Sequence, residues 1–112
     1  MSSQPYPYTQ IRIKSGKLNA IVSALVDTGF NDGVVIPSAE FDKLGEPSGL
    51  SEIALADGSP LSTGLFYAVI SLRDRELVVR AFCFGDEYLL GNDFIRHFRV
   101  CFDHGKTVEI EN

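Results

Sequence analysis

The sequence predicts a mostly β domain whose sheet closes into a barrel-like shape, with one or two short helices. Short apolar runs, several of them alternating with polar residues, recur along the chain and indicate seven to nine strands. Gly, Pro, Asn and Asp separate these runs at short intervals, and two segments carry the start signals of a helix. Many short strands joined by tight turns are typical of a barrel, because closure buries the apolar face of a small sheet.

The strands follow from the apolar pattern. Alternation is clearest over residues 9–14, where Ile11 and Ile13 face one side and charged residues face the other. Asp57-Gly58 is a strong hairpin signal between two longer runs. The other strands are predicted at residues 18–26, 34–36, 50–56, 60–72, 77–84, 88–90, 99–103 and 107–110.

The helices follow from end signals. Ser38 is expected to cap a helix over residues 39–44, which Gly45 ends. A second short helix is expected over residues 94–98, opened by the preceding Gly91-Asn92-Asp93.

A chain of 112 residues is long enough for one domain with one modest core. Hydrophobic residues make up 45% of it and charged residues 22%, as in globular proteins. Two prolines near the start favour an extended N-terminal arm over residues 1–8, because proline disfavours a helix before it. We therefore expect a single domain over residues 9–112.

The charge and hydropathy of the chain limit the classes of partner that it is expected to bind. The net charge of −5 argues against nucleic acid, because phosphate binding needs a concentrated basic face. The longest apolar run, residues 65–70, is too short to cross a bilayer, and residues 1–10 do not read as a signal peptide. Two cysteines are too few for a disulfide scaffold. The expected location is the cytoplasm, with no nucleic-acid or membrane partner.

The candidate catalytic residues are Asp27, Thr28 and Gly29, at the end of an apolar strand. A carboxylate in that position loses hydration, which costs free energy unless the group is paired or used. The next two residues supply a hydroxyl and a position of close backbone approach. Taken alone, the motif also fits an ordinary turn after a strand.

Four features together resemble the retropepsin-like aspartic proteases, the single-domain family of retroviral proteases and their relatives. They are the strand into Asp27-Thr28-Gly29, the nearby apolar strand at residues 34–37, the glycine-tipped hairpin at residues 54–59 and the segment at residues 89–95, which begins Leu-Leu-Gly. They occur in the family's order, and the resemblance covers about residues 9–110. The resemblance implies the fold of that family and its activity, hydrolysis of peptide bonds.

The family mechanism needs two aspartates that share one proton. Since this chain has one Asp-Thr-Gly, the resemblance implies a homodimer in which Asp27 of each copy activates water and the Thr28 hydroxyls hold the two loops together. Water is the nucleophile, so neither a cofactor nor a metal is expected. The implied substrate is an extended peptide or protein.

The resemblance also implies a set of substrate-binding residues. The residues that follow the catalytic turn would line the groove, and the hairpin would cover it. Apolar residues, among them Val34 and Ile36, would form the pocket walls. The predicted set is Phe30, Asn31, Asp32, Ala56, Asp57, Gly58, Ser59 and Leu90.

Two positions depart from the retroviral pattern. Retroviral members usually carry an acidic residue at the position of Asn31 and an arginine at that of Asn92, which form an ion pair. Both are asparagine here, and an amide pair can replace the ion pair because asparagine donates and accepts. Phe30 stands where the family usually has a small residue, and is expected either to crowd the adjoining pocket or to line it with an apolar surface.

Other interpretations compete with the peptidase. The same fold can serve as a non-catalytic peptide-binding or interaction module, since fold alone does not determine activity. Cys101 and His104 have a metal-like spacing, but only Cys83 and His97 remain as further nitrogen or sulfur ligands, which disfavours zinc and a Cys–His nucleophile. Both cysteines are expected to be buried and inert.

Overall fold

The computed structural model describes residues 7–54, 57–97, 99–103 and 107–111, the last two ranges as backbone strands. These residues form nine strands, one 3₁₀ helix and one short α-helix. The strands are β1 (Tyr8–Ser15), β2 (Leu18–Val26), β3 (Val34–Ile36), β4 (Gly49–Ala54), β5 (Pro60–Leu72), β6 (Arg75–Cys83), β7 (Tyr88–Leu90), β8 (Arg99–Asp103) and β9 (Thr107–Glu111). The 3₁₀ helix covers Ser38–Lys43, and α1 covers Asn92–Ile95.

Seven strands form one sheet in the order β1-β2-β7-β3-β6-β5-β4. Because β1 also pairs with β5, six of them close into a barrel, and the predicted mostly β, closed fold is confirmed. β4 pairs with the first half of β5 and extends beyond the closed part as the β4–β5 hairpin. β8 and β9 pair with each other as a separate two-stranded sheet.

The barrel is filled by the apolar faces of its strands. Ile11 and Ile13 are buried while their neighbours in β1 are exposed, which confirms the predicted alternation. Ile13 pairs with Ile70 where β1 meets β5, so this contact lies at the closure. The largest fully buried side chains are Phe82, Phe94, Ile11, Ile13, Ile36, Ile70, Leu90, Val34 and Val35.

The short strand β7 lies between β2 and β3. It runs parallel to β2, with Leu90 opposite Val26, and antiparallel to β3, with Leu90 opposite Val34. The end of β2, the start of β3 and the end of β7 therefore meet at one edge of the barrel. This arrangement places the loop of residues 27–33 directly against Gly91.

The structure differs from the prediction at both helices. The first is a 3₁₀ helix with Pro37 in the capping position; Ser38 lies inside it, and its hydroxyl donates to the carbonyl of Gly85 at 3.1 Å, so the predicted Ser38 cap is wrong. The second covers Asn92–Ile95, so it begins two residues before the prediction and ends three residues before the predicted end. It starts early because loop carbonyls accept the first free N–H groups of the helix.

The turn between β5 and β6 is shorter than the predicted four residues. It consists of Arg73 and Asp74, and Leu72 pairs directly with Arg75. Arg73 has a φ of 57°, the left-handed conformation that two-residue hairpins favour. Within the described residues, no helix has the length and apolar composition needed to span a membrane.

Barrel closure makes a stability prediction. Replacing the fully buried Ile70 with alanine should lower the free energy of unfolding by about 2–5 kcal/mol, since a cavity opens at the β1–β5 contact. The matched change Ile21→Ala, at a side chain that is 57% exposed, should cost less than about 1 kcal/mol. Urea unfolding of both variants measures the difference, and equal losses would contradict the assigned closure.

Candidate active site

Asp27 follows β2 directly and is held by backbone hydrogen bonds. Its amide N–H donates to the carbonyl of Leu90 at 2.9 Å, and its carbonyl accepts from the N–H of Phe30 at 3.2 Å. Its carboxylate oxygen Oδ1 accepts the N–H of Gly29 at 3.0 Å. The side chain is half-buried. The carboxylate is therefore oriented by its own loop, while the loop is fastened to β7.

The loop of residues 27–33 rests on the start of α1. The N–H of Asn92 donates to the carbonyl of Phe30 at 2.8 Å, and that of Asp93 donates to the carbonyl of Asp32 at 3.1 Å. A Cβ atom at Gly91 would overlap the carbonyl oxygen of Asp32, so only glycine allows this approach. The Gly91-Asn92 segment predicted from the sequence thus packs directly against the loop and supports it.

The side chain of Asn92 makes the shortest hydrogen bond described between this segment and the loop. Its Nδ2 donates to the carbonyl of Thr28 at 2.6 Å and to Oδ1 of Asn31 at 3.2 Å. The predicted amide pair is confirmed, and the bond to Thr28 is an addition that the sequence did not indicate. Thr28 and Gly29 themselves are exposed at the edge of the barrel.

A cleft of about 260 Å³ lies between this loop and the β4–β5 hairpin. One wall contains three of the predicted binding residues, Phe30, Asn31 and Asp32, together with Gly29. The other wall is β4, which contributes Glu52, Ile53 and Ala54. The structure therefore brings the loop residues and the hairpin to one cavity, and adds Glu52 and Ile53, which no pattern in the sequence indicated.

The tip of the hairpin is stabilised by Asp57. Its Oδ1 accepts the backbone N–H of Ser59 at 2.9 Å and the Ser59 hydroxyl at 2.6 Å, and these bonds hold the pKa of Asp57 below its usual value. Gly58 has a φ of 87°, which favours glycine at the turn. All three residues are exposed. Ala56, also predicted as a binding residue, lies outside the described residues.

The prediction for Leu90 as a pocket wall is wrong. Its side chain is fully buried in the barrel core, as are Val34 and Ile36. Leu90 contributes through its backbone instead, by accepting the hydrogen bond from Asp27. Leu90 is the last residue of β7, where it pairs with Val26 and Val34, and its side chain packs in the core with theirs.

Arg80 of β6 is a further residue beside the cleft that sequence reasoning missed. Its Nη2 lies 3.2 Å from Oδ2 of Asp32 and donates to the Ser51 hydroxyl at 3.1 Å. The contacts join residues far apart in the chain, so the pattern of the sequence carries no signal for them.

The other candidate ligands do not converge among the described residues. Cys83 is half-buried, its Sγ donates to the Pro37 carbonyl at 3.4 Å, and burial followed by the nearby Glu40 raises the pKa of its thiol. His97 is exposed, with Nδ1 3.0 Å from the Asp93 carbonyl oxygen. No group of three or more His, Cys, Asp or Glu side chains in the described part could hold a metal. The side chains of Cys101 and His104 lie outside it.

Comparison with solved structures identifies the fold. The EIAV protease in complex with an inhibitor superposes with a TM-score of 0.62 at 20% identity, covering 81% of this chain and 86% of that chain. The simian foamy virus (mac) protease gives a TM-score of 0.59 at 18% identity, covering 83% and 92%. No family model and no curated protein matches the sequence. The chain therefore has the retropepsin-like fold that the resemblance implied.

The hydrogen bonds of Asn92 predict different losses of stability for substitutions at Asn92 and at Asn31. Asn92→Asp should lower the free energy of unfolding by about 1–2 kcal/mol, since the new carboxylate cannot donate to the carbonyl of Thr28 or the amide oxygen of Asn31. Asn31→Asp keeps an acceptor for Asn92 and should stay within about 0.5 kcal/mol of the wild type. Chemical denaturation distinguishes them, and equal losses would contradict the assigned donor and acceptor.

Proposed function

We propose that this protein is an aspartic endopeptidase that acts as a homodimer, with Asp27 of each copy in one shared site. The observation that carries the proposal is the position of Asp27. It lies in a loop fastened to β7 by the Leu90 hydrogen bond, at the same edge of the barrel as a cleft covered by the β4–β5 hairpin. The shared fold with retroviral proteases supports the same chemistry.

The second aspartate comes from a second copy. Asp27, Thr28 and Gly29 form the single Asp-Thr-Gly of the chain, and aspartic proteolysis needs two carboxylates. A two-fold axis at the loop brings each motif against its own image. The exposure of Thr28 and Gly29 in the single chain favours this contact, because both are available to a partner.

The two carboxylates divide the reaction between them. One takes a proton from water as its oxygen attacks the peptide carbonyl carbon, while the other donates its proton to the carbonyl oxygen. The tetrahedral intermediate then breaks its C–N bond: the carboxyl group that took the proton from water gives it to the leaving nitrogen, and the other carboxylate takes back the hydroxyl proton as the carbonyl re-forms. The hydrogen bond from Gly29 to Oδ1 orients the Asp27 carboxylate for this role.

The proposed substrate is an extended peptide in the cleft. β4 is the last strand of the described sheet, so its second edge offers backbone groups for pairing with a peptide. Phe30 and Ile53 provide apolar walls for side chains. The proposed location remains the cytoplasm, on the grounds of composition and cysteine content.

The role of Asp27 predicts a large loss of activity on a small change. Asp27→Asn should reduce cleavage of a mixed peptide library, assayed from pH 3 to 7, by about a thousandfold or more, because the amide cannot take a proton from water. Asp42→Asn, at an exposed acid of the 3₁₀ helix, is the matched control and should retain wild-type cleavage. Cleavage that survives Asp27→Asn would exclude the mechanism.

The shared site predicts concentration and pH dependence. The rate per chain should fall on dilution, since the single chain lacks the second carboxylate. The rate should also fall as the pH rises and the shared proton is lost. A dilution series at fixed pH and a pH series at fixed concentration measure the two effects. A folded, dimeric protein that binds peptides but cleaves none would instead favour the binding module.

A further inference from the structure

Arg80 connects the two walls of the cleft. Its Nη2 contacts Asp32, in the loop that forms one wall, at 3.2 Å. The same nitrogen donates to Ser51 in β4, next to the Glu52 of the other wall, at 3.1 Å. One guanidinium group therefore links the loop that carries Asp27 to the base of the hairpin.

Packing holds this guanidinium in place. It lies over the ring of Phe82, 5.4 Å from its centroid, and that ring meets Phe30 edge-on at 6.3 Å. Phe82 is fully buried, so it provides a rigid support. The Nε atom of Arg80 is enclosed and has no hydrogen-bond partner within the described residues. The position of the group thus depends on Phe82, Asp32 and Ser51.

Asp32 is equally fixed. Its Oδ1 accepts the N–H of Gly33 at 2.9 Å, while its Oδ2 faces Arg80. A Cβ at Gly33 would overlap the backbone oxygen of Arg80, so the loop and β6 are in direct contact here. The side chain of Asp32 is 23% exposed and that of Arg80 43% exposed, so the pair adds little stability and acts mainly on position and charge.

The ion pair determines the charge of the cleft. Asp32 places a carboxylate in the loop wall of the cleft, and Arg80 compensates its charge. The exposed Glu52 follows Ser51 in β4, so its side chain points to the opposite face of the strand from the Ser51 hydroxyl that Arg80 contacts. The ion pair therefore leaves this part of the cleft without net charge, beside the apolar walls Phe30 and Ile53.

We propose that Arg80 is a specificity-determining residue of the proposed peptidase, an inference that rests on the proposed function. It links the two cleft walls and cancels the charge of Asp32, so that the cleft does not select substrate side chains by their charge. The wild type then favours an apolar substrate side chain in this cleft and discriminates little between lysine and glutamate. The apolar walls, Phe30 and Ile53, contact the carbon atoms of the substrate side chain.

The test uses one cleaved peptide with Lys, Gln or Glu placed in turn at each position flanking the cut. The readout is the ratio of kcat/KM for the Lys and Glu peptides at the most responsive position. Arg80→Met should raise this ratio about three- to tenfold, the effect of one unit charge several ångströms away in a partly exposed site. The change should arise mainly in KM, because Arg80 does not touch the reacting bond.

Replacing Asp32, the ion-pair partner of Arg80, should change the Lys-to-Glu ratio in the opposite direction. Asp32→Asn leaves Arg80 uncompensated and should lower the ratio by a similar factor, whereas Arg80→Lys keeps the charge and should leave it near the wild-type value. Arg12→Met removes an arginine whose guanidinium bonds Asn19 on β2 and should change nothing. If Arg80→Met fails to fold, the direction of the Asp32→Asn change decides.

Two results would overturn the inference, and they are distinguishable. An unchanged ratio in Arg80→Met and Asp32→Asn, with cleavage intact, would reject the role of Arg80 and leave the proposed function standing. Absence of cleavage by the wild type would reject the proposed function and the inference with it.

Discussion

The structure depends on the position of β7 between β2 and β3. Because Leu90 lies opposite both Val26 and Val34, the ends of two strands meet at one edge of the barrel, and the Asp27 N–H reaches the Leu90 carbonyl at 2.9 Å. The chain leaves β7 through Gly91, which can approach the loop closely because it has no side chain. The core and the candidate site are thus set by the same strand.

A small chain builds this site mostly from backbone. The Asp27 carboxylate is oriented by the N–H of Gly29, and the loop behind it is held by carbonyl and amide groups of the Gly91-Asn92 segment. Such contacts need few side chains, so the side chains of Phe30 and Asp32 are not needed to hold the loop on this segment and can line the cleft. The proposed second copy then supplies the remaining carboxylate without any further sequence.

The sequence predicts what is local and periodic. Alternation in β1, the turn at Gly58 and the loop beginning at Asp27 all depend on neighbouring residues, and the structure places them as expected. The sequence pattern does not predict contacts between segments that are far apart in the chain. Whether Leu90 faces the core or the cleft depends on its two neighbouring strands. The bond from Asn92 to Thr28 joins residues 64 positions apart, and the bond from Arg80 to Ser51 joins residues 29 positions apart.

The most direct test of the shared site is a mixing experiment at constant total protein concentration. Wild-type chains are equilibrated with increasing amounts of folded Asp27→Asn chains, and peptide cleavage is measured against the wild-type fraction. If each site needs Asp27 from both copies, the rate falls as the square of that fraction, to about a quarter in an equal mixture. A rate that falls in direct proportion, to about half, would mean that one chain carries a complete site and would contradict the account.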